Sequence, residues 1–181
     1  MKKSFRFRLI IAIIWILLIY TFLPFGPKVI NFFYKQLGVP LVRQALALIS
    51  IAAALFVYLP FIKKFRLNRA APYIAVTVVL IIACAINISL KAPARTLHIP
   101  EYLALSVFLY RAFIVKYTSK KSCALTIAIA IFAGIIDERI IQYLLPMRVY
   151  DFTDILLNTT GVIVGVILIS AHNMPAFSIR K

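Results

Sequence analysis

The chain has 181 residues, 64% of them hydrophobic and 14% charged, with a formal net charge of +16 and a mean hydropathy of +0.99. Those values lie far outside soluble globular usage and exclude a water-soluble domain or a disordered segment. They describe an integral membrane protein. The basic excess is topogenic charge facing anionic lipid rather than a nucleic-acid surface.

A helix needs about 20 apolar residues to cross the hydrocarbon with every backbone group satisfied. Residues 9–27, 44–62 and 70–90 meet that need early in the chain, each bounded by Lys or Arg, and residues 155–179 meet it at the end. The first run reads as a retained signal anchor, because it is long for a signal peptide and lacks a small-residue cleavage site. Between it and the second, residues 28–43 form the one extended connector, whose stretch 30–35 suits the outer interface. Residues 97–117 and 122–145 are as hydrophobic in most positions, but they carry Glu101 and Arg111 in one and Asp137, Glu138 and Arg139 in the other. Six spans are therefore expected, with five possible.

With six spans, fourteen of the 21 basic residues and no acid fall on one side; seven basic residues and all five acids fall on the other. The positive-inside rule then puts both termini in the cytoplasm and the acids outside. Neither loops nor tails are long enough for a soluble domain, so any chemistry belongs to the helices and their short connections. Cys84 and Cys123 fall at different depths, which argues against a disulfide.

Carboxylates in or near hydrocarbon cost about 2.5 to 3.5 kcal/mol each at mid-span, so several of them need a common reason. The first polar group is His98, Glu101 and Tyr102, spaced three and four apart on one helix side that Ser106 and Tyr110 extend inward. Glu101 also suits a helix first turn for purely structural reasons. In the second group, Gly134, Glu138 and Gln142 recur every four residues with Asp137 beside them, and Pro146 stops the helix. The plainer reading of these acids is interfacial charge paired with Arg139 or Arg148. The third group begins at Arg148, and places Asp151, Asp154, Asn158, Gly161 and Gly165, stepping by three or four, along one ridge of the last helix. Asp154 suits an N-cap, whereas Asn158 a turn deeper does not. The glycines read as close helix packing, within one chain or between two.

These elements together resemble the VanZ-like membrane proteins, a family linked to teicoplanin resistance. The resemblance rests on His98-x-x-Glu101-Tyr102, on Gly134-x-x-Asp137-Glu138-x-x-x-Gln142, and on Pro146-x-Arg148 followed by Asp154, Asn158, Gly161 and Gly165. It covers residues 91–181, taken as a VanZ-like region of three spans. Residues 1–90, with three further spans, are unmatched, where shorter members of the family have one hydrophobic segment before the His element. The resemblance implies a bacterial plasma-membrane protein tied to glycopeptide susceptibility.

The expected site is an outward-open polar pocket for a lipid-linked or cell-wall-related molecule. In it Arg148 grips a phosphate or carboxylate, and Tyr102, Asp137, Glu138, Gln142, Asp151, Asp154 and Asn158 hold polar groups. His98 and Glu101 are the candidates for an acid-base pair. No catalytic triad, phosphate-binding loop or cofactor signature is present, which leaves enzymatic activity open. No metal is expected, since one His with scattered carboxylates such as Glu101 and Asp137 is a poor zinc pattern. A proton- or ion-coupled transporter and a non-catalytic partner of an envelope enzyme are the alternatives.

Overall fold

A computed structural model describes residues 2–22, 25–62, 74, 77–78, 81, 95, 97–141 and 151–173. Apart from Ile74, Thr77, Val78 and Ile81, the span expected at 70–90 lies outside the described residues. So do Gln142, Pro146 and Arg148. Among the described residues the chain is all-helical, with no strand. The helices are α1 (Lys2–Phe22), α2 (Gly26–Leu37), α3 (Val39–Ile62), α4 (His98–Phe113), α5 (Ser119–Ile135) and α6 (Phe152–Asn173). A π-helical turn over Ile136–Ile141 prolongs α5.

Among the described residues two helices are long and apolar enough to cross a membrane, over Ser4–Phe22 and Phe152–Ser170. On α1 the residues Ile10, Ile13, Ile14 and Leu17 are all exposed. Their spacing of three, four and seven makes them one apolar ridge, the kind of surface that meets hydrocarbon or another apolar partner. In the connector, Pro27 falls in the first turn of α2 and Lys35 in its last. Val29, Phe32, Phe33 and Leu37 on α2 are exposed. Gly38, at φ +80°, supplies the left-handed residue that ends α2 and lets α3 begin at Val39.

α4 is the central helix. Most of its 16 residues are buried, and at 1.5 Å per residue it rises only about 24 Å, less than the hydrocarbon thickness. The helix stops at Phe113, short of the end expected at residue 117. There the chain turns, and the Thr118 hydroxyl accepts the Lys121 N–H at 3.5 Å to cap α5. A helix wrapped by others can be short because its ends meet protein rather than lipid.

One core cluster joins Leu103, Val107 and Tyr110 of α4 to Val164, Leu168 and Ile169 of α6. A second joins Ala12 and Ile19 of α1 to Tyr102, Leu105 and Leu109 of α4, Ala130 and Ala133 of α5, and Val162 of α6. Without a hydrophobic drive between lipid-facing helices, contacts of this kind and the hydrogen bonds between them hold a bundle together. α1 runs antiparallel to α4. Arg8 Nη1 donates to the Arg111 carbonyl at 3.0 Å and Trp15 Nε1 to the Glu101 carbonyl at 3.0 Å. The Trp15 ring meets Phe108 edge-on, with centroids 5.6 Å apart. Further along α1, the Tyr20 hydroxyl donates to the Ala133 carbonyl at 2.8 Å. α1, from the first half of the sequence, thus shares its core with the helices that carry the polar groups.

Candidate functional site

Side chains from three separate stretches meet around the start of α4. Tyr102, fully buried, donates its hydroxyl to Asp137 Oδ2 at 3.0 Å. One ligand atom each from His98, Asp137 and Glu138 lie within 4.8 Å of one another. Asp137 and Glu138 are both 0% exposed, and Asn158 is 1% exposed. On the same helix as Tyr102, His98 Nδ1 is 3.8 Å from Glu101 Oε2.

Asp137 and Glu138 both fall in the π-helical turn. Its i→i+5 pattern fits an extra residue into the turn, a feature that recurs at functional sites. Tyr20 hydrogen-bonds the Ala133 carbonyl at the entry to that turn, where the regular ladder gives way.

The three glycines set how closely the helices approach. A Cβ on Gly161 would lie 2.5 Å from the Ile99 carbonyl oxygen, and one on Gly165 would lie 2.8 Å from the Leu103 carbonyl oxygen and collide with the Ser106 hydroxyl. α6 therefore packs backbone to backbone on α4 within one chain. At Gly134 a Cβ would meet Asn158 Cβ and Tyr102 Cε1, both at 3.3 Å, and Asn158 Nδ2 at 3.4 Å. The Asn158 amide is thus wedged beside the Tyr102 ring, one turn before Asp137 and Glu138. Neither of its amide atoms has a hydrogen-bond partner among the described residues.

Asp151 and Asp154 form a second, shallower group at the start of α6. Asp151, not Asp154, does the capping there: its Oδ1 accepts the Thr153 N–H at 2.8 Å. Arg95 reaches both acids, with Nη1 2.5 Å from Asp151 Oδ2 and Nε 3.6 Å from Asp154 Oδ1. The Thr153 backbone donor, with Arg95 adding to it against a burial penalty, holds the Asp151 carboxyl below its usual range. Sequence reasoning gave the cationic role to Arg148 and missed Arg95. Its signal was present, because Arg95 stands three residues before His98 and counts on the same side as the acids.

The polar stripe continues along α4. Ser106 donates to the Leu103 carbonyl at 2.7 Å, and the Tyr110 and Ser119 hydroxyls share a hydrogen bond at 3.0 Å. Both are satisfied internally and close the stripe off from the acids. The arrangement near His98 has a different chemistry: a nitrogen donor, two buried carboxylates and a phenol brought together in space, with an amide beside the phenol ring that has no hydrogen-bond partner among the described residues. Such a set has the donors and acceptors to hold amines, hydroxyls or cations.

No protein-family model matches this chain, and no curated protein and no solved structure matches it at a significant level.

Proposed function

We propose that this chain is a multi-pass bacterial plasma-membrane protein of the VanZ-like kind, which alters susceptibility to teicoplanin-type glycopeptides. It does so through an outward-facing polar pocket that takes a lipid-linked or cell-wall-related molecule. The observation that carries this reading is the meeting of His98 and Tyr102 with Asp137 and Glu138, which lie more than thirty positions away in the sequence. Polar side chains from separate stretches, costly beside hydrocarbon, come together here, which favours a common ligand over separate structural roles.

The charge count supports the orientation, with six spans and both termini inside, and the acids outside. It agrees with Arg8 and Arg111 meeting at one end of α1 and α4 while Glu101 lies toward the other. In the pocket the buried carboxylates accept from amine or hydroxyl groups. Arg95, and Arg148 beyond the described residues, offer guanidinium groups to a phosphate or carboxylate.

The test is a susceptibility assay in a bacterial host. Wild-type protein should shift the inhibitory concentration of teicoplanin, and Asp137→Asn and Glu138→Gln, expressed at equal membrane levels, should abolish that shift. If both variants behave as wild type, the pocket reading is wrong.

A further inference from the structure

We propose that His98, Asp137 and Glu138 form a binding site for a divalent first-row metal ion. The inference goes beyond the pocket reading, which requires no metal. Its geometric basis is that the imidazole and the two carboxylates each bring a ligand atom within 4.8 Å of the others. Three donors separated in this way can close on one ion at about 2.0 to 2.2 Å each with small side-chain rotations. They come from two elements, α4 and the π-helical turn, so the ion would bridge the central helix to the end of α5.

Charge gives the second part of the argument. Asp137 and Glu138 are each fully buried and adjacent in sequence, and two carboxylates so placed repel each other and lose their hydration. A divalent cation neutralises both at once. Tyr102 already donates one hydrogen bond to Asp137 Oδ2, which orients that carboxylate as outer groups do around metal ligands. The donor set of one nitrogen and two carboxylate oxygens suits Mn²⁺, Fe²⁺ or Zn²⁺ better than Ca²⁺ or Cu⁺.

Asn158 is an independent sign of a ligand. It comes from a third element, α6, is 1% exposed, and has neither amide oxygen nor nitrogen hydrogen-bonded among the described residues. Buried amides are nearly always satisfied, so one that is not marks a missing group. It lies beside Gly134 together with Tyr102 Cε1, the ring whose hydroxyl holds Asp137, and from there it would reach a water on the ion. With three protein donors the ion retains open positions, and these are where a phosphate or carboxylate oxygen of a ligand would bind.

The experiment uses the full chain purified in detergent, stripped with a chelator and re-equilibrated with Mn²⁺ or Zn²⁺. Wild type and Thr160→Ala should each retain about one ion per chain by elemental mass spectrometry. His98→Gln, Asp137→Asn and Glu138→Gln should each weaken retention by at least about tenfold. On wild type alone, the bound Mn²⁺ should show nitrogen coupling by pulsed electron paramagnetic resonance, a signature that does not depend on any variant folding. Wild-type chain that stays empty at saturating Mn²⁺ and Zn²⁺ overturns the proposal; that is the behaviour of two carboxylates sharing a proton instead. Retention without nitrogen coupling, or retention unchanged in all three variants, also overturns it. None of these results bears on the teicoplanin assay, so the two readings fail separately.

Discussion

Replacing Gly161 with alanine probes how much of this fold depends on the close approach of α6 to α4. The added Cβ would sit 2.5 Å from the Ile99 carbonyl oxygen and 3.1 Å from the Leu103 nitrogen, where ordinary contact begins at 3.4 Å. Both obstacles are backbone, so no rotamer change relieves the clash, and α6 must move away by about 0.9 Å at this point. Overpacking of this sort costs about 1 to 3 kcal/mol. For a chain of this size that corresponds to a melting temperature lowered by about 2 to 12 °C. The assay is thermal unfolding of the detergent-solubilised protein, with Ile163→Ala, a side chain exposed on the far side of the same helix, as the control. Because α4 also carries His98 and Tyr102, Gly161→Ala should impair the teicoplanin phenotype as well, since shifts of about 1 Å are enough to spoil a site. If Gly161→Ala melts no lower than Ile163→Ala, the backbone contact does not exist in the folded protein.

Tyr102→Phe keeps the ring but removes the donor to Asp137 Oδ2, and should destabilise by about 1 to 3 kcal/mol in the same unfolding assay. Trp15→Phe loses the hydrogen bond to the Glu101 carbonyl at a cost of about 1 kcal/mol, and should raise the hydrogen-exchange rate of α1 amides more than those of α6. Asp151 has a carboxyl held below the ordinary aspartate value of 3.8, so its contribution is present above that pH and lost as pH falls through the lower folded value. Wild type should therefore exceed Asp151→Asn by at most about 1 kcal/mol near neutrality, with the gap narrowing below pH 4 in pH-dependent melting.

Much of this structure can be anticipated from charge-free runs and helical spacing. The all-helical class follows from the hydropathy, and the burial of Asp154, Asn158, Gly161 and Gly165 follows from their spacing of three and four along α6. The grouping of His98 with Tyr102 is also local, because residues four apart on a helix share a side. What spacing could not reveal depends on the packing of separate elements. The burial of both Asp137 and Glu138 depends on how α4 and the end of α5 pack together, and the π-helical turn that carries them has no residue signature in this stretch. Likewise, Asp151 and Asp154 both precede or begin the last helix, and only the position of Arg95 and of the first turn decides which one caps it. α4 ends at Phe113 although the apolar run continues to residue 117, because hydropathy measures how apolar a stretch is and not where its helix stops.

Tyr20 grips a main-chain oxygen at the point where α5 departs from regular winding, and Trp15 grips another beside Glu101. The opening helix is thereby a clamp on backbone 86 and 113 positions downstream, beside the acids. Any attempt to graft the carboxylate-bearing half onto a different leader would have to carry an indole and a phenol at the same two heights, or the grafted helices would lose both of these anchors.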